Sequence, residues 1–487
     1  MALITKLNQS EYNKPARPVK VLQFGEGSFL RCFADSFIQE LNNKSDFNGN
    51  ILAVTPTGNG KTDIFRRQDS LYTVCLSGYS DGAFSEEFRI IDCITYMLSP
   101  YDDYSSYISY ASLPSLKYVI SNTTEAGIVY SETDQPEMAP PESFPGKLTQ
   151  FLYRRFQLFS GSPGAGLIIL PCELIDNNGD VLKETVISLS QRWGLEDTFV
   201  EWLNDSCSFH NTLVDRIVSG KPDNSDPGLV GFSSWDEKLG YHDDLLVKGE
   251  RFGLWVIEGD HSLEKTFGSA LASLPIVICD DCKPYKLRKV RILNGAHTAF
   301  ASAALLSGKT YVNEAMSDPV ISNFLHEAVY NEIIPAISGA VPHASDFAED
   351  VFFRFRNPSI NHRLSSICLN SVSKWNTRCL PTVIEYEKSQ GSLPKCLVFS
   401  LAAIISLLMQ DDHNIAESGE VLGFLRSADK NDIYSLTCKF IEKFIPINDI
   451  QISQQLSKGV TRYISLINIS GCYETMAAIT SPVDQEH

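Results

Sequence analysis

The chain has no stretch approaching the roughly 18 consecutive apolar residues that a membrane-spanning helix needs, so no membrane anchor of that kind is expected. Positive charge is also scarce. The 41 Lys and Arg residues face 59 Asp and Glu, a formal net charge of −18. A field of that sign repels nucleic-acid phosphates and anionic headgroups, so neither nucleic acid nor a membrane surface is expected as a partner. A small anion remains admissible where its pocket is locally basic. Residues 1–10 lack an apolar run flanked by basic residues, no secretory leader is read there, and the expected location is cytoplasmic. The second CxxC and the nearby histidine cluster that a zinc shell would need are likewise missing: the twelve cysteines are scattered singly apart from Cys279-Asp-Asp-Cys282. Reduced thiols and metal-free chemistry are the expectation. Solenoid repeats, low-complexity tracts and heptads are absent, and nothing in the pattern specifies an oligomeric state.

What is present is an ordinary globular composition, 43% hydrophobic and 21% charged over 487 residues, enough for two or three domains. After Pro15 and Pro18, the run Val19–Phe24 (VKVLQF) reads as a short buried strand leading into Gly25-Glu-Gly27-Ser-Phe29-Leu-Arg31. An amphipathic helix carrying Phe33, Phe37, Ile38 and Leu41 follows. Strand, glycine turn and helix form the entrance of a dinucleotide fold, where the backbone approaches a pyrophosphate. The third glycine of GxGxxG is replaced by Leu30, so the motif alone is weak. Asn50–Val54 (NILAV) supplies the expected second strand, but it ends in Thr55-Pro56-Thr57-Gly58 with no acid for the adenosine ribose. That strand leaves NAD and NADP both open.

Further strand-like runs lie at 72–76, 88–91, 118–121, 166–171, 252–257 and 275–278, with helical spacing at 147–159 and 182–193. Residues 122–128 (NTTEAGI) form a polar turn at a strand's carboxyl end, where a doubly wound sheet presents ligand contacts; the alternative is a plain strand-to-helix turn capped by Asn or Thr. A second such loop, Cys172-Glu173-Leu174-Ile175-Asp176, follows the 166–171 run. From residue 285 the periodicity turns helical almost throughout. The expected architecture is α/β: a Rossmann-type N-terminal domain at 1–284 and a mostly α-helical C-terminal domain at 285–487.

Within the helical part, residues 289–298 read KVRILNGAHT. On a single α-helix advancing about 100° per residue, Lys289, Asn294 and His297 can face one cavity. A partly desolvated lysine can exchange a proton near neutral pH, an asparagine can hold a carbonyl or alkoxide oxygen, and a histidine can orient a sugar. Gly295 suggests a close approach of ligand or backbone. The alternative is a buried helix with a snorkelling lysine and a satisfied core histidine. Between Asp350 and Glu385 there is no carboxylate, while Arg354, Arg356, His362, Arg363, Lys374 and Arg378 fall there. In an acidic protein such a segment can hold an anion, with solvated helix faces as the other possibility.

Taken together, GEGSFLR, QDSLYT (68–73), SNTTEAGI (121–128), PCELIDNNG (171–179), VDRI (214–217), WVIEG (255–259), KVRILNGAHT and FRNPSINH (355–362) resemble the long-chain polyol dehydrogenase, or mannitol dehydrogenase, family. The resemblance implies a zinc-independent oxidoreductase using NAD. It implies Lys289 as general acid/base, Asn294 as oxyanion holder and His297 as substrate contact. Phe24, Gly25, Gly27, Ser28, Phe29 and Arg31 would lie at the cofactor, joined by Thr123 and Glu125 of the polar turn. His362, Lys374 and Arg378 would bind a small-molecule hexuronate or its aldonate. Two positions depart from the family pattern: Leu174 stands where polyol-oxidising relatives carry an Asn, and Lys286 where they tend to place an acid. A second oxyanion donor is therefore unassigned, while Lys286 suits an acidic substrate. A neutral polyol or sugar phosphate, and a non-catalytic nucleotide sensor, are the competing readings.

Overall fold

The structure is a computed structural model that describes all residues except 1–4, 9, 11, 59, 81–82, 124–126, 261, 268–273, 338, 342, 411–414 and 481–487. The chain divides into two compact units, Met1–Cys282 and Lys283–His487.

The first unit is built on six parallel strands: β1 (Val19–Phe24), β2 (Asn50–Val54), β3 (Ile94–Leu98), β4 (Tyr118–Ser121), β5 (Ile168–Pro171) and β6 (Ser208–Phe209). Their spatial order is β3-β2-β1-β4-β5-β6. These strands read as unbroken apolar runs because both faces are covered, and every residue of β2 and β4 is buried. On one face, Phe33, Phe37, Ile38 and Leu41 pack with Trp255. Phe33 joins helices α1 (Ser28–Cys32) and α2 (Ala34–Lys44), and the other three lie on α2. On the other, Leu148, Phe151, Leu182 and Val186, from helices Phe144–Leu158 and Asn178–Arg192, cover Leu22, Phe24 and Val119. The order reverses between β1 and β4, and a crevice opens at the carboxyl ends of strands flanking such a reversal.

The runs at 72–76 and 88–91 do not extend this sheet. They belong to an antiparallel hairpin, Tyr72–Ser80 with Ala83–Ile91, in a separate four-stranded sheet with Val247–Glu250 and Val218–Gly220. Two strands joined by so few residues cannot make a parallel crossover. Thr212–Asp215, Leu254–Glu258 and Ile276–Cys279 form a third sheet.

The second unit is helical. Among its described residues the only β pairing is the bridge between Tyr311 and Arg363. Its entry comprises α3 (Lys283–Arg288), a π-helical turn at Lys289–Asn294 and α4 (Gly295–Leu306). Later come α5 (Ala344–Phe355), α6 (Ser371–Arg378) and α7 (Lys395–Leu408). Small and apolar residues make α4 buried from Gly295 to Ala304, and it packs on α6 and α7.

The π-turn corrects the expectation of one α-helix from residue 289 onward, since the Gly295 N–H bonds back to the Val290 carbonyl, five residues earlier. A second π-turn, Glu327–Ile333, lies between the helices Pro319–His326 and Ile334–Ile337. There the buried Glu332 carboxylate accepts the N–H groups of Cys396 at 2.7 Å and Leu397 at 3.0 Å, capping α7 where Pro394 offers no side-chain cap. No described helix is long and apolar enough to cross a membrane.

Candidate active site

The glycine turn follows from β1. The Gly25 N–H donates to the Val54 carbonyl at 2.9 Å, and its φ of +120° belongs to glycine. A Cβ there would also lie 2.9 Å from the Asn122 carbonyl oxygen. Gly27 is exposed with open space around it and caps α1 without a side-chain bond, leaving the first N–H groups of the helix available. A tight turn beside an open backbone face fits a dinucleotide pyrophosphate.

The flanking side chains are chiefly supports. Phe24 is fully buried between Tyr107 and Phe144, at centroid distances of 6.2 and 4.9 Å, so only its backbone reaches the turn. Arg31 is buried too. Its guanidinium donates to the Glu26 carbonyl at 3.2 Å, to Ser28 Oγ at 3.3 Å and to the Leu245 carbonyl. The Phe24 ring thus fills the core, and the Arg31 guanidinium braces the turn. Phe29 stacks on Phe33 at 5.0 Å.

Thr123 gives both its N–H and its Oγ1 hydrogen to Glu173 Oε1, each at 3.0 Å, while Ser121 Oγ donates to Oε2 at 2.9 Å. Burial raises the Glu173 carboxyl pKa, and these bonds oppose the shift. Glu173 thus ties the β4 and β5 loops together, a role absent from the sequence expectation. Glu125 lies outside the described residues. Leu174 is 61% exposed and supplies no polar side-chain atom.

In the second unit the π-turn carries Lys289 and Asn294, two of the residues expected at the site. Lys289 and Asn294 are five residues apart, a separation that i→i+5 winding brings closer in rotation than an α-helix does. Both are half-buried. The Asn294 side-chain amide has no hydrogen bond to a described residue, and its backbone carbonyl accepts Thr298 Oγ1 at 2.9 Å. Lys286, one turn before Lys289, has its pKa lowered by burial and then by the Lys289 charge.

His297 is buried, stacked on Phe355 at 4.1 Å and edge-on to His362 at 5.0 Å and 85°. Its Nε2 and the Nδ1 of His362 are both buried without a hydrogen-bond partner. Burial pushes the His297 pKa well below the ordinary imidazole value, and His362, Arg354, Arg378 and Lys374 push it further. Burial, then Lys374, lowers that of His362. The proposed substrate residues His362, Lys374 and Arg378 therefore gather electrostatically about His297. Arg354, on α5, joins them; the basic segment contained it, but the expected binding set did not. Arg378 Nη1 also meets Thr298 Oγ1 at 3.3 Å, and Lys374 Nζ the Ile367 carbonyl at 2.9 Å.

Gly295 departs from expectation. A Cβ on it would lie 3.5 Å from the Arg378 carbonyl oxygen, an ordinary contact, so neighbouring chain atoms do not require glycine there. All twelve cysteines are free thiols, with Cys279 and Cys282 Sγ atoms 3.9 Å apart. No group of three potential metal ligands occurs among the described residues.

The mannitol dehydrogenase Rossmann domain matches residues 19–268, and the mannitol dehydrogenase C-terminal domain matches residues 281–422. An altronate oxidoreductase of Bacillus subtilis (strain 168) is 44% identical over 422 residues, covering 86% of each chain. One from Bacteroides thetaiotaomicron is 42% identical over 400 residues, covering 82% of each. Among solved structures, Pseudomonas fluorescens mannitol 2-dehydrogenase, in a ternary complex with NAD and D-mannitol, superposes with a TM-score of 0.71 at 22% identity, covering 98% of this chain and 97% of its own. With a matched Rossmann domain, a matched C-terminal domain and relatives this similar over most of their length, the chain belongs to the mannitol dehydrogenase family.

Proposed function

We propose that the protein is an NAD-dependent oxidoreductase that interconverts D-tagaturonate and D-altronate in the cytoplasm, with Lys289 as its general acid/base. The observation that carries the substrate class is the pair of partnerless imidazole nitrogens, His297 Nε2 and His362 Nδ1, amid Arg354, Lys374 and Arg378. Leaving a buried polar atom unpaired costs about 1–3 kcal/mol, and a polyhydroxylated anion supplies both the missing bonds and the opposite charge. The altronate oxidoreductase relatives support the choice of sugar acid. Twelve free thiols suit a reducing compartment.

A bound nicotinamide would supply hydride in reduction and accept it in oxidation. The backbone at Gly25, Gly27 and Ser28 would hold the pyrophosphate, while Glu173 fixes the Thr123 loop. At the substrate, the Asn294 amide donates to the carbonyl oxygen as negative charge grows there. Lys289 delivers the proton that completes the alcohol, and takes it back in the reverse direction. Neutral His297 and His362 hold sugar hydroxyls without adding charge at the reacting carbon. Arg354, Lys374 and Arg378 draw in and orient the carboxylate. Because Lys289 must arrive without its proton to start oxidation, altronate oxidation rises with pH while the reduction falls.

The deciding measurement is kcat/KM with NADH for tagaturonate, fructuronate, fructose and fructose 6-phosphate. Tagaturonate is expected to lead. Fructose matching or exceeding it would remove the reading.

A further inference from the structure

We propose that Glu26, the residue between the two glycines of the turn, receives the adenosine ribose hydroxyls and makes the protein prefer NAD to NADP. The inference rests on the dinucleotide reading above and adds the group that discriminates between the two cofactors.

In a fold of this order the ribose is met by an acid at the end of the second strand. Here β2 runs instead into Thr55-Pro56-Thr57-Gly58. The loop beyond it folds back on the strand end, for a Cβ on Gly60 would collide with the Thr55 side chain. That same Cβ position lies 3.4 Å from Glu26 Oε1. The turn between β1 and α1 therefore sends a carboxylate to the place the second strand left without one. Glu26 is half-buried, and burial raises its pKa. The backbone N–H groups of Glu26 and Lys61 and the charges of Lys61 and Arg31 act in the opposite direction. Arg31 is engaged with backbone carbonyls and Ser28, whereas the Lys61 side chain is exposed.

The discrimination follows from charge and hydrogen bonding. The 2′- and 3′-hydroxyls of NAD can donate to a carboxylate, which has only acceptors to offer. A 2′-phosphate has no such hydrogen to give at neutral pH and brings negative charge against negative charge in a half-buried site. Once Glu26 is neutralised, the exposed Lys61, whose charge acts on Glu26, is available to pair with that phosphate.

The test measures Kd for NADH and NADPH by fluorescence titration on the full chain, for wild type, Glu26→Gln, Glu26→Asp and Glu26→Gln combined with Lys61→Gln. Thermal melts confirm that each variant is folded. The wild type is expected to favour NADH. Glu26→Gln lowers the ratio Kd(NADPH)/Kd(NADH) at least tenfold, Glu26→Asp keeps most of it, and adding Lys61→Gln reverses part of the NADPH gain. An unchanged ratio in Glu26→Gln, or a parallel weakening of both cofactors, overturns the assignment and leaves Glu26 as a brace of the turn. Wild-type protein that binds neither dinucleotide overturns this inference and the proposed function together, whereas NADH binding with an unaltered ratio removes only the inference.

Discussion

The glycine turn of the first unit and the basic cluster around His297 in the second treat their polar side chains in opposite ways. Around the turn, Arg31, Thr123, Ser121 and Glu173 are committed to each other or to the backbone. Around the cluster, His297 Nε2, His362 Nδ1 and the Asn294 amide have no such bonds. A surface that recognises its ligand through main-chain N–H groups needs rigid supports. One that recognises through side chains needs unmet hydrogen-bonding capacity, held in place by packing such as the stack of His297 on Phe355. Substitutions near the turn should therefore act on cofactor affinity, and those in the cluster on turnover and substrate choice.

The sharpest way to break this contrast is a pair of variants. Lys289→Ala should lower kcat by about 10²–10⁴, the usual range for a general acid/base, with Kd for NADH within a factor of two or so of wild type. Gly25→Ala should do the reverse. Its φ of +120° and the 2.9 Å approach to Asn122 force the turn open, and NADH binding weakens by at least about tenfold. Stopped-flow turnover and fluorescence titration separate the two. If Lys289→Ala turned over at near-normal rate, the catalytic assignment would fail.

A smaller effect tests the cluster's charge. Arg378→Gln should reduce kcat/KM for tagaturonate by about 10–100-fold, because removing one partner of a partly desolvated ion pair costs on the order of 2 kcal/mol. Its effect on fructose should be severalfold less. Equal losses on both substrates would mean that Arg378 serves the fold through Thr298, which it meets at 3.3 Å, and does not read the carboxylate.

The two regions also differed in how far the sequence exposed them. The turn was legible because its signals are local: an apolar strand, a glycine at positive φ and a second strand at the right distance, so Val19–Phe24 and Asn50–Val54 have the bounds read from sequence. Direction was not legible. A motif places Phe24 and Arg31 beside a ligand, but packing turns one ring into the core and one guanidinium onto Leu245. In the second unit, Lys289, Asn294 and His297 were recognisable by type, yet apolar periodicity over six residues does not distinguish i→i+4 from i→i+5 winding, and the π-turn went unseen. Glu173 and Arg354 depend on contacts with residues about 50 positions away, which no local pattern encodes.

The smallest predicted effect concerns proton linkage, and it has opposite signs at two buried groups, His297 and Asp35. The buried His297 resists protonation when folded, so below the unfolded imidazole value of about 6.5 the unfolded chain binds the proton more readily and stability falls. Asp35, buried in the first unit with Tyr72 as its hydrogen-bond donor, has a pKa pushed up to about 7 by burial. Between pH 7 and about 4 the folded chain takes up that proton more readily, and stability rises on acidification. Glu332, also raised to about 7, behaves like Asp35, so the wild-type melting curve alone mixes both signs. Differences between variants separate them. From pH 7.5 to 5.5, stability should fall less in His297→Asn than in wild type, and Asp35→Asn should lose the compensating gain. Each group can contribute at most about 1.4 kcal/mol per pH unit. Thermal unfolding at the two pH values should therefore move the two variants to opposite sides of wild type; parallel shifts would show that neither buried group titrates differently on folding.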